Sequence, residues 1–378
     1  MANQNTKKIL AVVLAVIVLA TLTALDYFVT HIIFPNTEDP NQETVITLEG
    51  LSIHFLELGN KAVGDSVYIN YGDTDILIDA GSSSTSASTI NAYLNKYVAD
   101  GTLEYVIATH NHQDHVGAFG GTSGVFNNFD VDVIIDFPRT ASSSNAGYRT
   151  ARDNLVDTKG TKHYTALECY NNTGDAQRIW EIDEGIELEI LYNPYYSTSY
   201  VPSHSNENNF SVCVMLRQGT HQYLFTGDLE KVGEDALVDY YNTKHDGLGH
   251  CTLYKGGHHG SSTSSNPILL AEITPDVICI CTCAGTTQYT EDKTYSNPNT
   301  FPTQQMLDRI APYTDKVYIT SLLAGVYTEV SNCISMNGNI IFMLKDGVPT
   351  IEGSNNNTKL KDTQWFKTYR TTPDAWAS

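Results

Sequence analysis

The chain has 378 residues, 41% of them hydrophobic and 17% charged, with 43 acidic against 22 basic residues and a formal net charge of -21. That much apolar material supports a substantial core and argues against disorder. The acidic balance excludes avid, non-specific binding of nucleic acid or anionic headgroups through charge alone, because the field repels phosphates. It leaves open hydrolysis of a phosphodiester at a metal site, where bound cations dominate the local field.

In chain order, Lys7-Lys8 precede an uncharged apolar run from Ile9 to Leu25, and the chain stays largely apolar to Phe34 before Pro35. About 20 apolar residues cross a bilayer, so residues 9–34 are expected to form one transmembrane signal anchor behind a short cytoplasmic segment, 1–8. The lysines lie on its N-terminal side and almost no basic residue follows until Lys61. That bias places everything beyond about residue 35 outside the cytoplasm. A cleaved signal peptide is the alternative, and the domain would then be secreted. The polar stretch NTEDPNQ within residues 35–43 reads as a linker.

From residue 44 short apolar or alternating runs bounded by Gly and Asp predict strands at Leu51–Leu58, Ser66–Tyr71 and Asp75–Asp79. Helical spacing covers Ala87–Val98, and Tyr105–Thr109 is a buried strand running into His110. Further strands are expected at Val131–Ile135, Leu188–Tyr192, Phe210–Leu216, Gln222–Thr226, Cys251–Lys255, Val277–Cys281 and Lys316–Thr320. Helices are expected at Glu230–Tyr241, Pro267–Ile273 and Thr303–Ile310. Strands dominate and helices recur between them, which suggests two sheets covered by helices on their outer faces. Residues 44–352 therefore form the domain, and 353–378, with Trp365, Phe366 and Trp376, form a C-terminal tail that could pack back on it.

Seven cysteines, an odd number, make no compact disulfide framework. Cys279, Cys281 and Cys283 alternate, so on a strand they share one face. Same-face neighbours lie about 6–7 Å apart, too wide to chelate a single ion, and all three read as small buried core residues.

The segment Thr109-His110-Asn111-His112-Gln113-Asp114-His115 places three histidines and an aspartate within six positions, directly after a buried strand. The C-terminal end of a strand is where α/β proteins put functional groups, and imidazole and carboxylate are ligands for borderline metals such as zinc. His110 and His112 can converge on one ion, with Asp114 and His115 serving a second. Two other strand ends offer partners: Gly227-Asp228, and Gly256-Gly257-His258-His259-Gly260-Ser261. Taken alone, an Asp after Gly is more often a turn former than a ligand. The three segments in this order reinforce one another.

With Gly64-Asp65-Ser66, Asp75–Gly81 (DILIDAG), Asn208-Asn209-Phe210-Ser211 and Lys255-Gly256-Gly257-His258-His259-Gly260-Ser261, these motifs resemble the metallo-β-lactamase superfamily. Within it they are similar to the extracytoplasmic hydrolase domain of the DNA-internalisation competence protein and its free-standing relatives, from about Leu51 to Pro349. The resemblance implies a four-layer αββα sandwich with the site at one edge of the paired sheets. It implies two divalent cations, zinc or alternatively manganese. The first would be held by His110 and His112 and the second by Asp114, His115 and His258, with Asp228 bridging. Asp79 would orient a ligand histidine, His259 would donate a proton or bind the substrate oxyanion, and Lys255 would assist. Asn208 stands where most of the superfamily has a further histidine, as in the competence branch, and would leave the first site completed by its amide oxygen or by water. His204 is a nearby substitute. Phe301-Pro302 occupies the place of that branch's His-Pro.

The expected chemistry is hydrolysis by a hydroxide bridging the two cations and oriented by Asp114, with Asp228 and His259 completing the catalytic set. A phosphodiester is the first candidate substrate, as a nuclease or small phosphodiesterase. A carboxylic ester, lactone or β-lactam on the same metals is the alternative, and a degenerate metal-binding assembly module is the reading from another class.

Overall fold

The computed structural model describes residues 50–58, 64–203, 205–286, 300–323 and 333–377. The expected anchor (9–34), the linker (35–43), the start of the domain at 44 and His204 lie outside the described residues. Among the described residues no helix is long and apolar enough to cross a membrane.

Sixteen strands among the described residues form two eight-stranded sheets. The first contains β1 (Ser52–Phe55), β2 (Val67–Tyr71), β3 (Thr74–Ile78), β4 (Thr102–Ala108), β5 (Asp130–Asp136), β6 (Lys162–Thr165), β15 (Ile340–Lys345) and β16 (Val348–Gly353), in the order β16-β15-β1-β2-β3-β4-β5-β6. The second contains β7 (Ile179–Asp183), β8 (Ile186–Ile190), β9 (Val214–Gln218), β10 (His221–Phe225), β11 (Leu253–Lys255), β12 (Val277–Ala284), β13 (Val317–Leu323) and β14 (Cys333–Ser335), in the order β14-β13-β12-β11-β10-β9-β8-β7. Each sheet holds a block of four parallel strands, β3-β4-β5-β6 in one and β10-β11-β12-β13 in the other. Parallel strands are covered on both faces, which is why Val106-Ile107-Ala108 and Val277–Cys281 read as continuous apolar runs.

The faces separate cleanly along β12. Cys279 and Cys281 point into the core shared with Ile53, Ile107 and Phe342, whereas Ile278 and Ile280 join the outer cluster. In that outer cluster Leu237 of α5 (Lys231–Lys244), Leu269 of α6 (Pro267–Ile273) and Leu307 of α7 (Gln304–Ile310) cover the second sheet. Residues of α1 (Ser84–Leu94), among them Ala87, Ile90 and Leu94, cover the first. The architecture is a two-sheet α/β sandwich. The C-terminal stretch is part of the outer layer: Leu360, Trp365, Phe366 and Trp376 are buried in the same cluster as α6 and α7.

Three sequence readings need correction. Cys283 is not a free core residue but forms a disulfide with Cys333, Cα–Cα 6.1 Å, because β14 folds back onto β13 and delivers Cys333 there from 50 positions away. Phe210 does not begin a strand: Glu207–Phe210 forms a 3-10 turn and β9 starts only at Val214. The interval between Ile135 and Leu188 also contains more structure than its polar pattern suggested, namely α3 (Ala146–Lys159), β6, α4 (Ala166–Tyr170) and β7.

Candidate metal centre

The parallel blocks of the two sheets point their C-terminal ends to one edge, and the loops leaving those ends build the centre. From the first sheet, β3 ends at Asp79, whose φ of 59° turns its side chain back along the sheet edge. The Thr109 amide donates to Asp79 Oδ1 at 2.8 Å and its hydroxyl to Oδ2 at 2.7 Å. After β4, His110 and the one-turn helix α2 (Gln113–Val116) present the HxHxDH side chains. His110 Nε2 lies 3.0 Å from His112 Nδ1. Ahead of β2, Gly64 has a φ of 135° and no room for a side chain, since a Cβ would sit 2.0 Å from the Asp114 carbonyl oxygen. That close approach lets the Asp65 amide donate to the same carbonyl at 3.1 Å.

From the second sheet come Asp228, one residue past the turn that ends β10, and His258-His259 beyond β11. Both histidines hold left-handed backbone angles, φ 45° and 53°, between two glycines. Non-glycine residues in that region cost of order 1 kcal/mol or more each, and such strain persists where the surroundings over-determine it. Here the surroundings include Pro302, packed where a Cβ on Gly260 would lie 2.6 Å away. Phe301-Pro302 thus buttresses the loop and offers no ligand atom of its own, with the Phe301 ring centroid 6.2 Å from that of His258.

Asp228 Oδ2 is the centre of convergence. It lies 3.1 Å from His115 Nε2, 3.3 Å from His259 Nε2, 3.6 Å from His258 Nε2 and 4.0 Å from His110 Nε2. Asp114 Oδ2 stands 3.2 Å from His259 Nε2 and 3.8 Å from His115 Nε2. Behind the ring of inward nitrogens, His115 Nδ1 donates to Asp79 at 2.7 Å, whereas His259 Nδ1 donates to the Cys281 carbonyl at 3.2 Å and is ion-paired with Asp65 at 3.0 Å. The other Asp65 oxygen is paired with the buried ammonium of Lys255. Asp65, His115, Asp228 and His259 offer ligand-type atoms that all lie within 4.8 Å of one another. Asp65 also contacts the outer nitrogen of His259 and the Lys255 ammonium, and both of its carboxylate oxygens are buried without a hydrogen bond of acceptable geometry.

This geometry distributes the expected site residues unevenly. His115, Asp114, Asp228 and His259 form the tightest group and His110 adjoins it, with His112 beside His110. His259, expected as a proton donor, is fully buried in that group. His258, expected as a ligand, sits at its rim with 21% of its side chain exposed and Nδ1 2.9 Å from Thr263 Oγ1. Asn208 donates through Nδ2 to Glu230 at 3.2 Å, and its Oδ1 is buried without a hydrogen-bond partner. Lys255 reaches Asp65 and the Gly227 carbonyl, and no substrate-facing role for it emerges. Asp65 belongs to the Gly64-Asp65-Ser66 motif of the resemblance but was given no role there, and Glu230 escaped the sequence reading as a site residue.

The electrostatics show what the cluster lacks. Burial alone would drive His115 and His259 toward neutrality, but the Asp228, Asp79, Asp65 and Asp114 carboxylates outweigh it and hold both imidazoles well above their usual range. Burial raises Asp228, yet His115, His259 and His258 pull it well below the carboxylate range. His110, buried and beside two other imidazoles, is pushed well down. Excess carboxylate charge is thus gathering protons onto imidazoles that would otherwise be neutral. In addition, His115 Nε2, His259 Nε2 and Asp228 Oδ1 are buried without a hydrogen bond of acceptable geometry. Buried polar atoms are rarely left so. Divalent cations answer both demands, and imidazole with carboxylate is the donor set zinc and iron accept. The residues present fit such a group.

Residues 59–128 match the model of the metallo-beta-lactamase superfamily, a stretch that includes Asp65, Asp79 and His110 to His115. Recombination protein 2 of Haemophilus influenzae is 26% identical over 254 residues, 66% of this chain and 26% of that protein. ComE operon protein 3 of Bacillus subtilis is 26% identical over 184 residues, 47% of this chain and 20% of that protein. Over residues 59–128 the chain thus matches a metallo-β-lactamase domain, and it is similar to competence proteins. The match spans about a quarter or less of the length of these two relatives. The metallo-beta-lactamase fold protein YhfI from Bacillus subtilis aligns over 72% of this chain and 96% of its own, with 11% identity and a TM-score of 0.39. So loose a superposition carries no argument; the assignment of the domain's fold rests on its own two sheets.

Proposed function

We propose that the chain is a membrane-anchored, extracytoplasmic metal-dependent hydrolase acting on a phosphodiester. The observation that carries the reading is the position of Asp228, whose one oxygen faces four imidazole nitrogens at 3.1–4.0 Å. Divalent cations would be held there by Asp228 together with His110, His112, Asp114, His115 and His259. Divalent cations bound there would polarise the substrate and bring the pKa of a water close to neutrality.

The chain's own residues would do the rest. Asp114, 3.2 Å from His259 Nε2, would accept a proton or orient the attacking water. Asp79 and Asp65 keep the Nε2 atoms of His115 and His259 pointed inward. His258, partly exposed and next to Glu230 at 3.9 Å, is better placed than His259 to pass a proton to a leaving group. The phosphodiester preference rests on the likeness to competence proteins. The Cys283–Cys333 disulfide agrees with an oxidising compartment, and residues 9–34 supply the anchor.

The test uses the full-length chain in detergent, loaded with zinc or manganese. A generic phosphodiester, a carboxylic ester and a β-lactam are assayed beside metal analysis. Phosphodiester turnover that falls at least about 10³-fold in Asp228→Ala, with loss of bound metal, supports the reading. Turnover of the ester or lactam alone transfers the site to acyl chemistry. Stoichiometric metal without turnover of any class identifies a binding module.

A further inference from the structure

The chain has only seven arginines, and three of them, Arg139, Arg149 and Arg152, line one cleft of about 480 Å³ with Thr140 and His163. In a molecule of net charge -21 such a concentration is unexpected from composition. One carboxylate, Asp136, lies at its base. It takes 2.7 Å from Arg152, 2.9 Å from His163 and a hydrogen bond from Tyr148 at 2.9 Å. Arg152 also reaches Asp153 at 2.8 Å, so its charge is answered.

Arg139 and Arg149 are different. Among the described residues neither is paired with a carboxylate. Arg139 Nη1 donates to the carbonyls of Ser197, at 2.8 Å, and of Tyr200. Arg149 donates through Nη1 to Ser144 and through Nη2 to Ser143, both at 2.7 Å. A guanidinium has five N–H donors in a fixed fork, so each keeps donors beyond those carbonyl bonds. Neutral carbonyls hold the forks in place without cancelling their charge. That is pre-organisation for an anion with several oxygens.

The cleft adjoins the metal centre through the backbone itself. Asn111, between His110 and His112, donates to Thr140 Oγ1 at 3.2 Å and to the Ser142 carbonyl at 3.1 Å. Asn145 Nδ2 returns a bond to the Asn111 carbonyl at 2.9 Å. Glu207, next to Asn208, accepts from the Ala141 amide at 2.9 Å. The 139–145 loop is therefore fixed against both edges of the centre.

From this placement we infer that the Arg139–Arg149 cleft binds a second phosphate of the substrate, next to the diester being hydrolysed. The inference rests on the phosphodiester reading for its catalytic meaning. It also reconciles that reading with the acidic surface: the cleft supplies attraction locally, so a short phosphorylated substrate is favoured over a long polyanion.

Two measurements test it on the full-length chain. Pyrophosphate is first titrated calorimetrically into EDTA-treated protein, comparing wild type, Arg149→Gln and, as a control outside the cleft, Arg217→Gln, each checked for native circular dichroism. Saturable binding weakened at least tenfold by Arg149→Gln alone supports the cleft. No saturable binding to wild type, or equal binding by Arg149→Gln, overturns it. In the second, metal-loaded protein is assayed on bis(p-nitrophenyl) phosphate and on a 5′-phosphorylated thymidine dinucleotide. Arg149→Gln should lower kcat/KM at least tenfold for the dinucleotide and less than twofold for the small diester. Equal losses on both would mean the arginine only supports the loop, and the inference falls. If wild type cleaves neither diester while arginine-dependent pyrophosphate binding persists, the phosphodiester reading fails and the anion site stands.

Discussion

The half of the centre that comes from the first sheet is a contiguous loop, His110 to His115, placed on relaxed backbone after β4 and steadied by Thr109 and Asp79. The half from the second sheet is assembled from two strand ends, with Asp228 after β10 and two histidines in left-handed conformations after β11. Both halves use one device, an imidazole with Nε2 inward and Nδ1 against a buried carboxylate, although His259 Nδ1 gives its hydrogen bond to the Cys281 carbonyl. They differ in what balances that carboxylate. Asp79 is satisfied by an amide and a hydroxyl from its own sheet. Asp65 crosses from the first sheet to the second and is held by the Lys255 ammonium as well as by His259. The second half is therefore the one whose integrity depends on buried charge and on contact between the sheets, and substitutions should expose that dependence.

The largest effect is expected at Lys255, which is 2% exposed. Lys255→Met leaves Asp65 without its counter-ion, and removing one partner of a buried pair typically costs about 3–5 kcal/mol. Urea unfolding should show a loss of that size. A loss below about 1 kcal/mol would mean Asp65 is satisfied by His259 alone, and the contrast between the halves disappears.

Next comes the division of labour between the paired histidines. His259→Ala removes an inward nitrogen and should weaken metal binding by about 100-fold or more, whereas His258→Ala should leave metal content nearly intact and act mainly on turnover, by about 10²-fold. Metal affinity by competition with a chelator, followed by steady-state kinetics, separates the two. The opposite pattern would return the ligand role to His258, as the sequence motif suggested.

The smallest effect concerns the anchorage of the second half. Glu234 on α5 accepts from the amides of Ser265 and Asn266, at 2.6 and 2.8 Å, and so pins the chain just after the histidine loop. Burial raises its pKa from 4.5 to about 7 against the opposing pull of those bonds. The folded state thus binds this proton more tightly than the unfolded chain. The resulting stability is fully present below pH 4.5 and is lost as pH rises through about 7. Wild type should therefore lose about 1–3 kcal/mol more than Glu234→Gln between pH 5 and pH 8. Parallel slopes in denaturant titrations would show that Glu234 is not the titrating group.

The same contrast governs what could be read from the residues. The clustering of the HNHQDH side chains was legible because they are local and follow a buried apolar strand, and the placement of Asp228 beside them because a carboxylate after a strand-ending Gly-turn has few other uses in that company. The strands of the two parallel blocks announced themselves as apolar runs, except β6, whose sequence Lys-His-Tyr-Thr is polar and half-exposed at the sheet edge. His258 and His259 could not be told apart: adjacent residues on left-handed backbone diverge in directions that no periodicity encodes. The role of Asp65 and the Arg139–Arg149 cleft were invisible for a related reason, since their partners lie on other strands or loops. The Cys283–Cys333 bond likewise depended on β14 returning to β13.

By itself, then, the amino-acid sequence determined the two-sheet α/β plan, the presence of an imidazole-carboxylate nest and the excess of acidic charge, because apolar runs, local spacing and composition are properties of neighbouring residues. Only the tertiary structure decided which histidine turns inward, which carboxylate stands behind it and where the few arginines gather. Those outcomes depend on pairing between sheets and on backbone angles set by long-range packing, and both arise only once the two parallel blocks meet at one edge.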